Sequence, residues 1–493
     1  MRHAASRGLL DLEAGELRVV AIVDSTLGTR PPAAVGAPGV VFWHDVAVPD
    51  AAQDRSPENP PTATPAPAAG SGGRLLASPW LLALAFVVVH ARLVHEAISW
   101  QNTIFGDVTL YEWWARHGLT GGEWPVLDYT WVYPAGALVP VGLPGVLSED
   151  LLGYEIVWTA MIVLLDAVAT VVLVRMTPRG VLGAWWWLLF LLALGPIFLG
   201  RLDGVVAPMI LVALVVARRH PRIAVAVATA GAWVKISPGA VVVAIAATRR
   251  SLRDLLRTVV VPGAVVSSIV VGLALAGGAG VRALSVFGQQ GSRTLQAESV
   301  AATWFSVARW WDPSVRIEYN DEIYTFEVLG DAARTVADTL DWLLILAVVA
   351  VAALTWWVAR RHPERTYEIV LLSAAAQLVA LIVFNKVGSP QFIAWIGPVV
   401  AVALASLPEG RALRAWWPPA LGMVLVAYAT YLVYPVGYGP FLAGDAWIVV
   451  IEALRNLALV VLMVGAVWQL VRLGTRDAEQ RPTPTADDDG RSA

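Results

Sequence analysis

Nine apolar runs, each near the roughly 20 residues that a helix needs to cross a bilayer, dominate this chain of 493 residues. They lie near 78–99, 151–174, 182–200, 258–277, 340–358, 367–384, 390–407, 416–434 and 446–471, with shorter ones at 204–217, 223–234 and 237–248. In hydrocarbon every backbone polar group must pair within its own segment, so such runs fold as helices. The chain is 57% hydrophobic and 15% charged, with mean hydropathy +0.64, more apolar than a soluble domain of this length requires. The expected fold class is an all-α polytopic membrane protein, a bundle of about 11–12 helices, some of them short.

The ends differ in composition. Residues 1–75 include PENPPTATPAPAAGSGG, a Pro/Ala/Gly tract that cannot bury a core. The segment is expected to be a disordered cytoplasmic tail, as is 475–493, and 76–474 to form the transmembrane domain. No charged n-region, apolar h-region and cleavage site occur near Met1, so a cleaved signal peptide is not expected. The absence of cysteine excludes disulfides, iron–sulfur clusters and thiolate-bound zinc. His90 and His95 fall on different faces of a helix, so no metal site is expected.

Arginine sets the expected orientation. Arg175 and Arg179, Arg218 to Arg222, Arg249 to Arg257, Arg360 to Arg365, Arg411 and Arg414, and Arg472 and Arg476 gather on one side, which the positive-inside rule makes cytoplasmic. The alternation requires 223–248 to enter and return as two short helices that meet at Lys235-Ile236-Ser237-Pro238, where Pro238 breaks the helix. Both termini then lie in the cytoplasm. The segments 106–150, 201–203, 235–237, 278–339, 385–390 and 435–445 face outward across the plasma membrane.

The polar residues left on that outer side are the candidates for chemistry. Only Lys235 and Lys386 among 35 basic residues are lysine, in KISP and NKVGSPQ. They fit snorkelling at helix ends or point-charge ligation of an anionic group. GDVTLYEWWARHG puts Asp107, Tyr111, Glu112, Trp113 and Trp114 at the first outer boundary. Asp107 suits a helix N-cap or a general base. Arg201 and Asp203 flank a helix junction, and a mutual ion pair is the simplest reading of them. Arg92 with His95, and Arg455 with Asn456, are further phosphate candidates, although Glu452 is spaced for an internal pair with Arg455. Trp185 to Trp187 read as an interfacial belt.

GDVTLYEWWARHGLTGGEWPVLDYTWVYPAGAL, RLDGVVAP, WVKISP, SRTLQAES and NKVGSPQFIAWIGP, in this order over residues 100–407, resemble the membrane-embedded GT-C glycosyltransferases of family 87, the DUF2029 group. The chain departs from the usual pattern at Tyr133-Pro134-Ala135, where the family carries Tyr-Pro-Pro, and at Trp124-Pro125-Val126-Leu127-Asp128, where a Pro-Tyr precedes the aspartate. The resemblance implies a GT-C-like bundle with outward-facing active-site loops. It also implies transfer of a sugar, most often mannose and in some members arabinofuranose, from a polyprenyl-phosphate donor to a lipid or glycan acceptor. Asp107 matches the position of the family's base, and a sugar carried on polyprenyl phosphate has an activated leaving group that needs only one base for inverting transfer. Tyr111 would share its helix face. Asp128 and Tyr133 either hold acceptor or shape a turn. Arg293 and Glu298 match a family pattern for substrate contact, and Lys235, Lys386 and Gln391 are assigned to the donor phosphate and sugar.

No cofactor or nucleic-acid partner is expected. A lipid flippase would share the helix count and intramembrane charges, but no internal repeat is visible, and the outer loops lack counterparts in the other half. A non-catalytic envelope scaffold would not need Asp107, Lys235 and Lys386 on one side. The arginine pattern gives a first test. A cysteine at Ser292 should react with an impermeant thiol reagent on intact cells, and one at Ser251 should not; labelling at Ser251 would overturn the hairpin of 223–248.

Overall fold

The computed structural model describes residues 78–285, 288, 293–321 and 323–475. The expected tails, apart from residue 475, lie outside the described residues, as do residues 76–77 and Ser292. Among the described residues, seven helices are long and apolar enough to cross a membrane, and five shorter apolar ones pack with them. The protein is an all-α polytopic membrane protein.

The chain enters through α1 (Pro79–Ser99), where Ser78 caps the first turn and Pro79 occupies a position that needs no N–H donor. Next come the amphipathic α2 (Gly106–Gly121), α3 (Leu138–Leu147), α4 (Leu151–Met176), α5 (Gly180–Leu194) and α6 (Asp203–Ala217). Two short helices, α7 (Pro221–Val234) and α8 (Gly239–Ala247), pack against each other around an extended Lys235. The break falls at KISP because Pro238 starts the second helix. The remaining helices are the spans α9 (Leu252–Ala276), α10 (Asp331–Arg361) and α11 (Thr366–Val383), the short α12 (Gly397–Ser406), where a full span is expected over 390–407, and then α13 (Trp417–Tyr431) and α14 (Ala446–Thr475).

The sequence reading needs several corrections. Helix α3 was not expected, because Pro140 and Pro144 give its stretch the look of a loop. A proline early in a helix costs no hydrogen bond, and packing against α2 and α4 offsets the second one. Helix α10 begins at Asp331, so the long loop ends earlier than expected. Helix α5 stops at Leu194, where Gly195 turns with positive φ. Trp187 belongs to no interfacial belt: it is fully buried and its Nε1 donates to Asp166 Oδ1 at 2.7 Å. His90 Nε2 lies 3.2 Å from the other Asp166 oxygen, so this junction ties α1, α4 and α5 inside the bundle.

Helices α6, α11 and α12 are buried on nearly every face and form the centre, whereas α1, α9, α10 and α14 leave leucines and valines exposed, as lipid-facing helices do. The long loop before α10 carries an antiparallel hairpin, β1 (Ile317–Asn320) and β2 (Thr325–Val328), with Ile317 opposite Val328. Residues 295–297 run beside β2: Ala297 N–H donates to Phe326 O, and Val328 N–H to Leu295 O, both at 2.9 Å. On their other side Gln296 N–H donates to Lys386 O at 2.9 Å, and Gly388 N–H to Gln296 Oε1 at 3.0 Å.

Gly388 permits this contact, because a Cβ there would lie 2.1 Å from Ser299 N and 2.3 Å from Glu298 C. Gly388→Ala must push two backbones apart, and overpacking of this kind costs about 1–3 kcal/mol. The variant should melt lower in detergent, whereas Gly465→Ala, which meets nothing within 4 Å, should melt like wild type. Equal melting of both would show that the turn yields freely.

Candidate active site

Several polar residues of the segments expected to face outward meet around the junction between α5 and α6. Gly200 there packs its backbone against Ile104, where a Cβ would sit 2.1 Å from Ile104 O. That approach brings Arg201 to the start of α2. The Arg201 guanidinium donates to Ile104 O at 2.5 Å, Gly200 O at 2.8 Å and the Tyr434 hydroxyl at 3.2 Å, and its Nε lies 2.9 Å from Asp107 Oδ2. Tyr434 in turn donates to Thr103 O at 2.7 Å. Asp107 therefore lies in the first turn of α2, with Phe105 as the cap residue, and serves Arg201 rather than capping the helix.

Arg201 and Asp203 do not pair with each other, contrary to the sequence expectation. The turn aims them at different helices. Asp203, at the first position of α6, accepts Lys235 Nζ at 2.6 Å on one oxygen and Trp395 Nε1 at 2.6 Å on the other. Lys235 Nζ also lies 4.8 Å above the Phe392 ring. Neither lysine has the solvent-facing head of a snorkelling side chain: Lys386, buried, pairs with Asp341 at 2.8 Å.

One turn beyond Asp107, Tyr111 is buried with its hydroxyl 3.3 Å from that of Tyr133. Trp114, Trp131 and Trp158 complete an aromatic wall, with Trp131 and Tyr133 centroids 5.3 Å apart. Trp113 is exposed and stacks on His117. Burial, then the neighbouring phenol and Asp107, push the Tyr111 hydroxyl above the ordinary phenol range. Burial and Asp107 do the same for Tyr133. Both stay neutral donors at physiological pH. Burial disfavours the Arg201 charge, but Asp107 and the surrounding phenols outweigh it and hold the guanidinium above its usual range.

A second polar cluster adjoins the first through Tyr434 and Tyr438, whose rings meet edge-on at 4.9 Å. The Tyr438 hydroxyl donates to Glu298 Oε1 at 2.5 Å, and Arg455 Nη2 donates to Glu298 O at 2.9 Å. Arg455 also pairs with Glu452 at 3.6 Å, and Asn456 bridges Glu452 and Thr303. Burial lifts Glu298 above the usual carboxylate range, with Tyr438 and Arg455 pulling it back. Arg92 pairs with Glu96 one turn on.

Of the residues singled out from sequence, Asp107, Tyr111, Tyr133, Arg201, Asp203 and Lys235 gather in the first cluster, and Glu298 belongs to the second. Lys386 pairs its backbone with the 295–299 segment, Gln391 is buried and Arg293 is half-buried. Asp128 is apart: exposed, it accepts Trp124 N–H at 2.7 Å and closes a turn. Tyr434, Tyr438, Trp395 and Asp341 complete these contacts without a local sequence pattern that singles them out. The run YLVYPVGYG carries the only signal for the two tyrosines, an aromatic and glycine-rich patch where a helix ends.

A family model for glycosyltransferase family 87 matches residues 131–390. No curated protein and no solved structure matches the chain. The matched span takes in Tyr133, Arg201, Asp203, Lys235, Arg293, Glu298 and Lys386, while Asp107, Tyr111 and Asp128 precede it and Gln391 follows it. Covering just over half of the sequence, and joined to a bundle of membrane-spanning helices with a polar cluster at one end, the match shows that the chain belongs to glycosyltransferase family 87.

Proposed function

We propose that this membrane glycosyltransferase moves a mannosyl group from a polyprenyl-phosphate donor to a hydroxyl of a lipid or glycan acceptor, with inversion, at the outer face of the plasma membrane. The arginine distribution supports that orientation, with both termini cytoplasmic. The observation that carries the chemical reading is the contrast between three carboxylates. The Asp203 side chain is 0% exposed and closed on two partners, and Glu298 is 2% exposed, whereas the Asp107 side chain is 37% exposed. Asp107 alone among these three is both fixed and open to a substrate.

In this scheme Arg201 occupies Oδ2 of Asp107 and orients the carboxylate. The acceptor hydroxyl gives its proton to the carboxylate as its oxygen attacks the anomeric carbon. The bond from that carbon to the phosphate oxygen breaks, and polyprenyl phosphate leaves with the electron pair. One base suffices because the leaving group is already activated. Tyr133, half-buried, offers a neutral hydroxyl and a ring face for sugar, and the buried Tyr111 backs it. Lys235, Gln391 and Arg293 contact donor or acceptor, the buried Glu298 and Lys386 position the segments that carry those contacts, Arg201 and Asp203 frame the pocket, and Asp128 shapes the approach. Lys235, at 14% exposure against 4% for Lys386, is the more reachable of the lysines.

A general base contributes about 10²–10⁴ in rate, so Asp107→Asn should cut transfer by at least that factor while donor pulldown persists. Membranes containing the protein should pass label from polyprenyl-phosphate mannose to an extractable glycolipid. Label passing only from the arabinose donor would assign the arabinofuranosyl reaction instead, and wild-type turnover by Asp107→Asn would remove the base from this residue, with Glu112 and Asp128 next to test.

The Asp203–Lys235 pair changes what a lysine deletion means. Lys235→Ala leaves Asp203 buried without its cation, a loss of about 3–5 kcal/mol for a broken buried pair. The single variant should lose both stability and transfer. Asp203→Asn with Lys235→Met should regain the melting temperature without regaining donor use. Full activity in the double variant would reduce the pair to a structural role.

A further inference from the structure

One apolar cavity takes no part of the Asp107 cluster in its lining. A lateral groove of about 720 Å³ opens between α11, α12, α13 and α14, with walls of alanine, valine, leucine and methionine. Its polar lining, Arg365, Glu368, Gln469 and Arg472, gathers where α11 begins and α14 ends. Arg455, in the second polar cluster, lies on the same helix as Arg472, and 17 residues at 1.5 Å each put the two about 25 Å apart along the axis. The groove thus starts at the end opposite the candidate active site and runs toward it.

Charge at its mouth is unbalanced. Arg365 is spent on Glu368, with both guanidinium contacts at 2.9 Å. Arg472 is exposed and stacks on Trp468 at 4.9 Å, and among the described residues no carboxylate lies within ion-pair distance of it. Nearby Arg361 donates to Gly474 O and stacks on Trp357 at 4.3 Å. Arginines backed by tryptophan rings at the edge of an apolar slot suit a headgroup that is anionic and a tail that is hydrocarbon.

We propose that the groove holds an anionic diacyl phospholipid of the leaflet opposite Asp107, its phosphate on Arg472 and one acyl chain along Val379, Leu457 and Val461. Basic pockets between transmembrane helices select anionic headgroups in this way. The occupant is not the reacting donor, because a phosphate on Arg472 is a bilayer's width from Asp107. Small residues hold the slot open, and at Gly465 a Cβ would meet nothing within 4 Å. The inference does not depend on which sugar is transferred.

The test uses the full chain, delipidated in detergent and returned to nanodiscs of phosphatidylglycerol in phosphatidylcholine, or of phosphatidylcholine alone. Wild type should melt several degrees higher with phosphatidylglycerol and retain it through gel filtration at about one per chain. Arg472→Glu and Gly465→Phe should each lose the shift and the retained lipid, and Arg472→Lys should keep most of both. Arg253→Glu, a reversal on exposed α9 residues outside the groove, should change neither. Equal melting in both lipids, retention by Arg472→Glu, or loss in Arg253→Glu would each mean that ordinary bilayer lipid fills the slot. Displacement of the retained lipid by polyprenyl phosphate at equal concentration would give the groove to the donor and overturn the assignment.

Discussion

Two ion pairs that fan out from one turn organise the functional end of this bundle. Arg201 and Asp203 are two residues apart, yet one reaches Asp107 on α2 and the other reaches Lys235 between α7 and α8. Charges inside a bilayer protein are costly unless they are paired and hydrogen-bonded. Arg201 and Asp203 each have further partners: the Ile104 and Gly200 carbonyls for Arg201, and the Trp395 indole for Asp203. The position of Asp107 is therefore set by the helix junction behind it as much as by its own helix.

The same junction explains how two clusters that are far apart in sequence come into contact. Tyr434 accepts from Arg201 and anchors to Thr103, while Tyr438, a turn later, holds Glu298. Glu298 is placed from the other side by β2 and by the Gly388 turn. The long loop before α10 is thus clamped between strand pairing and a close backbone approach. Helices set the frame; irregular backbone, buried in protein, brings the acids to it.

Much of this was legible in the sequence. Seven of the nine long apolar runs became helices long enough to span, while 182–200 and 390–407 gave shorter ones, and Pro238 marked the break between α7 and α8. Local signals failed where partners were distant. Tyr434 lies 233 positions from Arg201, so nothing near it announces a role. The Arg201–Asp203 pairing expected from proximity lost to geometry, because a tight turn points neighbouring side chains apart. The proline-bearing α3 was hidden by its composition, and Trp187 was hidden by the habit of placing tryptophan at interfaces.

The cations of the candidate active site already have counterions of their own: Arg201 has Asp107, Lys235 has Asp203, Lys386 has Asp341 and Arg455 has Glu452. Matched pairs of this kind present dipoles to the surroundings and little net field. A free phosphate or nucleotide drifting through bulk water would feel almost no pull toward such a pocket. Such a pocket holds its ligand by short-range contacts made after entry, so salt in the medium should screen little of its binding.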